Sequence, residues 1–173
     1  ELEAENFRED DNKAHIKRLK SELVFLSKLK KEVEEELKVL VKSDDFLNAK
    51  ITKLTSVVGL GIKTVACVVA ETDGFSQTNN KRQLTSYAGY DVINQESGTS
   101  VHTKARISKR GNKHIRKALH MAALSSIRHG SNKDIFVRIV GKTGIKMKGV
   151  VAAQRKLLIL MYTLWKNDTV YDP

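Results

Sequence analysis

Apolar residues recur at three- and four-residue spacing along most of the chain, and strand-like alternation is scarce. This pattern predicts a mainly α protein. Over residues 12–42 the positions Ile16, Leu19, Leu23, Leu26, Val33, Leu37 and Leu40 keep a seven-residue repeat, broken at Lys30. The spacing predicts a coiled-coil helix or a helical hairpin. Val24, Phe25 and Leu29 widen the stripe, and the flanks carry charges of both signs. A single extended helix draws its stability from packing that stripe on a partner. A second chain, or a domain upstream, is therefore expected to cover it.

Beyond Ser43-Asp44-Asp45, which reads as a helix break with a capping side chain, the elements become short. Residues 45–56 form a helix carrying Phe46, Leu47, Ile51 and Leu54. The turn Val58-Gly59-Leu60-Gly61 leads into a helix over 62–72 with Val65, Val68 and Val69. A polar loop over 73–80 precedes a short helix with Leu84, Tyr87 and Ala88 that stops at Gly89. Residues 90–107 read as irregular, with a turn at Ser97-Gly98. Helices follow over 113–129, 134–140 and 147–166, with a Gly141–Gly144 loop before the last. The expected organisation is a coiled-coil linker helix over 1–43 and a compact helical domain over 44–173.

Charge sharpens this division. The 173 residues carry a formal net charge of +11. Residues 1–50 hold 11 Lys/Arg against 13 Asp/Glu, whereas 51–173 hold 20 against 7. The second part is a basic module, which suits a phosphate-rich partner, DNA or RNA; an anionic membrane surface is the weaker alternative. The single Cys67 excludes an internal disulfide framework and suits a reducing, cytoplasmic setting. The longest apolar run, Leu157 to Trp165, is too short to span a bilayer, and no signal peptide is visible. The chain opens on Glu1 rather than Met, as expected of a fragment.

Two stretches bear chemistry. The first, Leu54 to Ala66, resembles a helix-hairpin-helix: Gly59 and Gly61 would let a phosphate approach the backbone. The second helix would offer free N–H groups to it. Lys63 and Thr64 could add a charge and a hydroxyl there. An ordinary tight αα-turn is the competing reading. The second stretch, Glu96 to Lys117, sets Ser97 before Lys104, Arg106, Lys109, Arg110, Asn112, Lys113, Arg116 and Lys117. Cations in the first turn of the following helix sit at the unfavourable end of its dipole, which suggests an anionic ligand. A serine needs a base or local positive charge to act as a nucleophile. From the residues alone, catalytic serine and binding loop both stand. His and Cys spacing suits no zinc site, and the acidic residues make no carboxylate cluster for two magnesium ions.

Four motifs occur in one order: L-T-S-V-V-G-L-G-I-K-T-V-A, then G-F-S with L-T-S-Y-A-G-Y, then E-S-G with R-I-S-K-R-G-N-K-H-I-R-K-A-L, then V-V-A-A-Q-R-K-L-L with Y-D. Over residues 44–172 this order resembles the C-terminal transposase domain of the insertion-sequence transposases with an N-terminal RuvC-like domain, the bridge-RNA-guided recombinases. The helix before it is similar to that family's linker. Two positions depart from the pattern: Val58, and Ile93 or Asn94, stand where the family often has proline, which lowers loop rigidity.

The resemblance implies a prokaryotic, nucleoid-associated protein that cuts and rejoins DNA at the ends of a mobile element, directed by a guide RNA. It implies that Ser97 becomes covalently linked to DNA. Ser100 is its nearest rival, and Ser108 is expected to cap or turn the chain. Magnesium is implied only in the RuvC-like domain, which this chain lacks, so the fragment alone is expected to bind without recombining. The long helix implies a homo-oligomer. A non-catalytic, structure-specific nucleic-acid-binding module with a dimerising helix is the rival, and pure assembly through the coiled coil a third reading.

Overall fold

The structure, a computed structural model, describes residues 2–93, 96–97, 101–102 and 106–172, with side chains over 12–93 and 106–172. It divides into two compact units, residues 1–44 and 45–173. The first unit is one helix, α1, Leu2–Ser43. At 1.5 Å per residue it is about 63 Å long. Its seam stays open to solvent: Leu23 is 63 % exposed, Leu26 59 % and Leu40 65 %. Lys28 with Glu32 and Lys38 with Glu35 pair along its surface, at 3.9 and 2.7 Å. The Ser43 hydroxyl donates back to the Leu40 carbonyl, 2.8 Å away, so it is engaged within α1 rather than on the helix that follows.

The second unit contains six helices among its described residues: α2 (Asp45–Thr55), α3 (Ile62–Glu71), α4 (Lys81–Tyr87), α5 (Lys113–His129), α6 (Lys133–Thr143) and α7 (Lys146–Asn167). The chain is mainly α, as the periodicity predicts. Helix α7 is the spine, packing against α2, α4, α5 and α6, while α5 also packs on α3. The reason is composition. Ala153, Leu157, Leu158 and Met161 form a fully buried stripe on α7, and Ile115, Leu119 and Ala123 one on α5. Each buried Leu, Ile or Met among them contributes about 1.5–3 kcal/mol.

Three expectations need correction. Residues 73–80 are not simply a polar surface loop. Phe75 is fully buried, edge-on to Tyr162 and tilted on Trp165, with both ring centroids 5.8 Å away. The burial of one large ring outweighs the polarity of its neighbours. The Gly141–Gly144 loop is instead the end of α6: Gly141 lies within the helix, and Gly144 closes it at φ +68° with its N–H on the Val140 carbonyl. Residues 90–107 are not wholly irregular. Strand β1 (Val92–Ile93) pairs antiparallel with β4 (Arg106–Ile107), and β2 (Glu96–Ser97) with β3 (Val101–His102). Such short pairs fall below what a period-two pattern can reveal.

Candidate nucleic-acid interface

The hairpin between α4 and α5 is held at its base. There two glycines let the outgoing and returning chains cross in contact. Gly89 has φ +73°, and a Cβ on it would lie 2.7 Å from both the Gly111 N and the Arg116 Nη1. A Cβ on Gly111 would run into the Tyr87 carbonyl oxygen and the Gly89 nitrogen. The crossing is tied by backbone bonds from Asn112 N–H to the Tyr87 carbonyl at 2.7 Å, Lys109 N–H to Gly89 at 3.1 Å and Ser108 N–H to Asp91 at 2.7 Å.

Arg116 acts as the clasp. Its Nη1 donates to the carbonyls of Ala88, Gly111 and Asn112, and its Nη2 to that of Lys109, at 2.8 to 3.2 Å. Asn112 caps α5, its Oδ1 accepting from His114 and Ile115 N–H, while its Nδ2 donates to Glu71 at 2.6 Å. These two members of the predicted basic site are thereby engaged in fold contacts. One arm of the crossing continues into Tyr90, which is buried and donates to Gln154 Oε1 on α7 at 3.1 Å. The Gln154 amide in turn meets His120 Nδ1 at 3.0 Å. Burial holds the Tyr90 phenol far above its ordinary range.

Arg106, Lys109, Arg110, Lys113 and Lys117 remain exposed above this base, and none of them has an ion pair among the described residues. Arg106 lies on β4 opposite Ile93. Lys109 has φ +56°, and with Arg106, Arg110 and Ser108 it lines a recess of about 470 Å³. The Ser108 hydroxyl accepts weakly from Arg110 N–H, at 3.4 Å, the turn role expected of it. The Ser97 backbone pairs with Val101, and that of Glu96 with His102. The Ser97 side chain lies outside the described residues, as do Lys104, Ser100 and Gly98.

The glycine turn behaves differently at its two glycines. Gly59 has φ +99°, and a Cβ there would stand 2.5 Å from the Ala122 carbonyl oxygen on α5. On the side a Cβ would occupy, the close approach it permits is to α5. Gly61 precedes α3 with no side-chain cap, and nothing stands within 4 Å of where its Cβ would be. Lys63 is exposed and Thr64 half-buried. Glu71, which touches Asn112, closes the other end of α3. The open turn and the hairpin base are thus separated by the length of that helix, about 14 Å.

Sequence reasoning missed Tyr90 and Gln154. A signal existed for the second: Gln154 interrupts the apolar stripe of Val150, Leu157 and Met161, and a polar residue there needs a buried partner. Cys67 is half-buried on α3, and burial, helped by the Glu71 charge, pushes its thiol pKa up. Among the described residues no three His, Cys, Asp or Glu side chains gather as metal ligands. No described helix is long and apolar enough to cross a membrane.

Comparison with known proteins supplies a context for this geometry. The model of the Transposase IS116/IS110/IS902 family matches residues 51–137. The chain is 27% identical over 143 residues to a pilin gene-inverting protein of Moraxella bovis, covering 82% of this chain and 44% of that protein. It is 28% identical over 141 residues to the transposase for insertion sequence element IS1111A of Coxiella burnetii, covering 79% and 37%. It is 25% identical over 122 residues to an uncharacterized 43.6 kDa protein of insertion element IS110 from Streptomyces coelicolor, covering 69% and 29%. The chain thus spans less than half the length of these relatives.

Proposed function

Because the chain belongs to the Transposase IS116/IS110/IS902 family, we propose that it is the serine-bearing domain of a recombinase that cuts and rejoins DNA at the ends of an insertion sequence. The observation that carries this reading is the extent of the family match. Residues 51–137 take in the glycine turn, the clasped hairpin with Ser97 and the basic run to Lys117 as one continuous block. Two relatives whose names describe gene inversion and transposition align with most of the same chain.

In the proposed step the Ser97 Oγ attacks a DNA phosphorus. A new P–O bond to serine forms as the bond to one sugar oxygen breaks, and the serine proton ends on that leaving oxygen. The number of phosphodiester linkages is unchanged, so attack by another DNA hydroxyl reseals the strand and frees the serine. Arg106, Lys109 and Arg110, with Lys104, hold the phosphates and stabilise the charge that builds at phosphorus. Lys113 and Lys117 extend the grip along DNA or a guide RNA, and Gly61 with Lys63 and Thr64 holds backbone at the far end of α3. Among the described residues no three His, Cys, Asp or Glu side chains gather as metal ligands, and the proposal assigns Mg²⁺ to a RuvC-like domain of the full-length protein. Helix α1 associates with a second copy through its exposed seam.

Trapping on the full-length protein tests the reading. Element-end DNA should yield denaturation-resistant protein–DNA adducts that vanish in Ser97→Ala and persist in Ser100→Ala. Adducts surviving in Ser97→Ala would sink the serine assignment. Salt-sensitive binding without adducts would instead establish the non-catalytic, structure-specific binding module.

A further inference from the structure

We infer that the α6–α7 hairpin is a second surface for the phosphodiester backbone of a nucleic-acid duplex. The inference rests on the reading that this chain binds nucleic acid, and adds a contact outside the serine hairpin. Helix α6 begins at the opposite end of α5 from the basic run, about 25 Å away along that helix.

The hairpin carries one sign of charge. Lys133, Arg138, Lys142, Lys146 and Lys148 face a single acid, Asp134, between residues 133 and 148. The ion pairs of this unit form elsewhere, between Asp168 and Lys50 and Lys53, and none of these five cations has one among the described residues. Four are exposed, and Lys148 is half-buried. The packing decides which side they occupy. Phe136 and Val140 press on Gly149 of α7, where an added Cβ would lie 2.6 Å from the Phe136 ring and 3.0 Å from Val140. Arg138 and Lys142 are two residues from those contacts, about 200° around the helix, and so face outward.

Gly141 is the second observation. It lies inside α6, is exposed, and has no positive φ; nothing stands within 4 Å of where its Cβ would be. Neither packing nor backbone conformation asks for glycine there, and glycine disfavours the helix relative to alanine. Lying beside Lys142 and less than one turn after Arg138, it leaves a gap that admits the close approach of another backbone. The start of α7 adds to the argument. No side chain caps it and no acid occupies its first turn, which instead holds Lys146 and Lys148 against the helix dipole. A phosphate at this turn would satisfy both cations and uncapped N–H groups. Exposed Val137 and Met147 flank the patch and can lie against sugar faces.

Binding of the chain to a fluorescent duplex of about 30 base pairs, as DNA and as RNA of the same sequence, is measured between about 50 and 200 mM salt. The triple variant Arg138→Gln, Lys142→Gln, Lys146→Gln is expected to bind at least tenfold more weakly at the low-salt end. Its plot of log affinity against log salt should be shallower by about 2–3 for DNA. Gly141→Gln, which adds a good helix former without charge, is expected to weaken binding severalfold with helicity and melting temperature undiminished. The ratio of the losses on DNA and RNA identifies which duplex uses the surface. Unchanged affinity and slope in the triple variant, with both lost in Lys109→Gln, Arg110→Gln, would overturn the second surface and leave the first standing. Absence of salt-sensitive binding by the unaltered chain would overturn both. A loss seen only on anionic lipid vesicles would reassign the patch to a membrane and also end the inference.

Discussion

Gly59 and Gly61 sit two residues apart and have opposite requirements. A methyl group on Gly59 would strike the Ala122 carbonyl, and the backbone there is at φ +99°. Gly59→Ala is therefore expected to cost about 1–3 kcal/mol in urea unfolding, as overpacking does. Gly61 has open space around it. Gly61→Ser supplies the missing cap for α3 and is expected to be neutral or slightly stabilising, by a few tenths of a kcal/mol. Equal destabilisation by the two would contradict the assignment of the first glycine to packing. Arg116 presents a similar contrast with its neighbours. Arg116→Ala leaves the crossing carbonyls without their charged donor and is expected to cost about 2 kcal/mol. Lys113→Ala and Lys117→Ala, on exposed positions, should stay within about 0.5 kcal/mol while reducing nucleic-acid affinity. Linear charge density marks all of these cations alike; their partners separate them.

At the scale of elements, a buried polar contact, Tyr90 to Gln154, joins the serine hairpin to the spine helix. Tyr90→Phe leaves Gln154 Oε1 without its donor, and Gln154→Leu leaves the Tyr90 hydroxyl unpaired. Each is expected to cost about 1–3 kcal/mol, and the double variant less than the sum. Additive losses in this cycle would show that the two side chains do not act as a pair. Helix α1 poses the complementary question, since its seam residues Ile16, Leu19, Leu23, Leu26, Val33 and Leu40 are exposed. With association through that seam, Leu23→Glu with Leu26→Glu should shift sedimentation of the chain from dimer or higher to monomer. An unchanged sedimentation coefficient would remove α1 from the interface. The heptad spacing is legible in sequence because it is local. The Tyr90–Gln154 contact joins residues 64 apart, and no period records it.

For the whole molecule, the end of the chain folds back on α2. Lys53 donates to the Asp168 carboxylate at 2.9 Å, with Lys50 at 3.6 Å and also donating to the Trp165 carbonyl. The bond from Lys53 is the main cause that holds the Asp168 carboxyl below its ordinary value. A depressed carboxyl contributes stability that is fully present above the unfolded value, about 3.9, and is lost as pH falls through the folded one. The melting-temperature gap between the unaltered chain and Asp168→Asn should therefore be open at pH 7 and close as acid protonates the folded carboxylate; a gap that widens with acid would refute the pairing. The mainly α class, the basic character of residues 51–173 and the position of nearly every helix were legible in the sequence. Periodicity and charge are properties of residue order, and order alone determined them. The burial of Phe75, the clasp by Arg116, the inward-facing Gly59 and the open Gly141 were decided only by tertiary structure. Each depends on which distant segment the fold sets against that residue, and contact across the chain has no trace in local spacing.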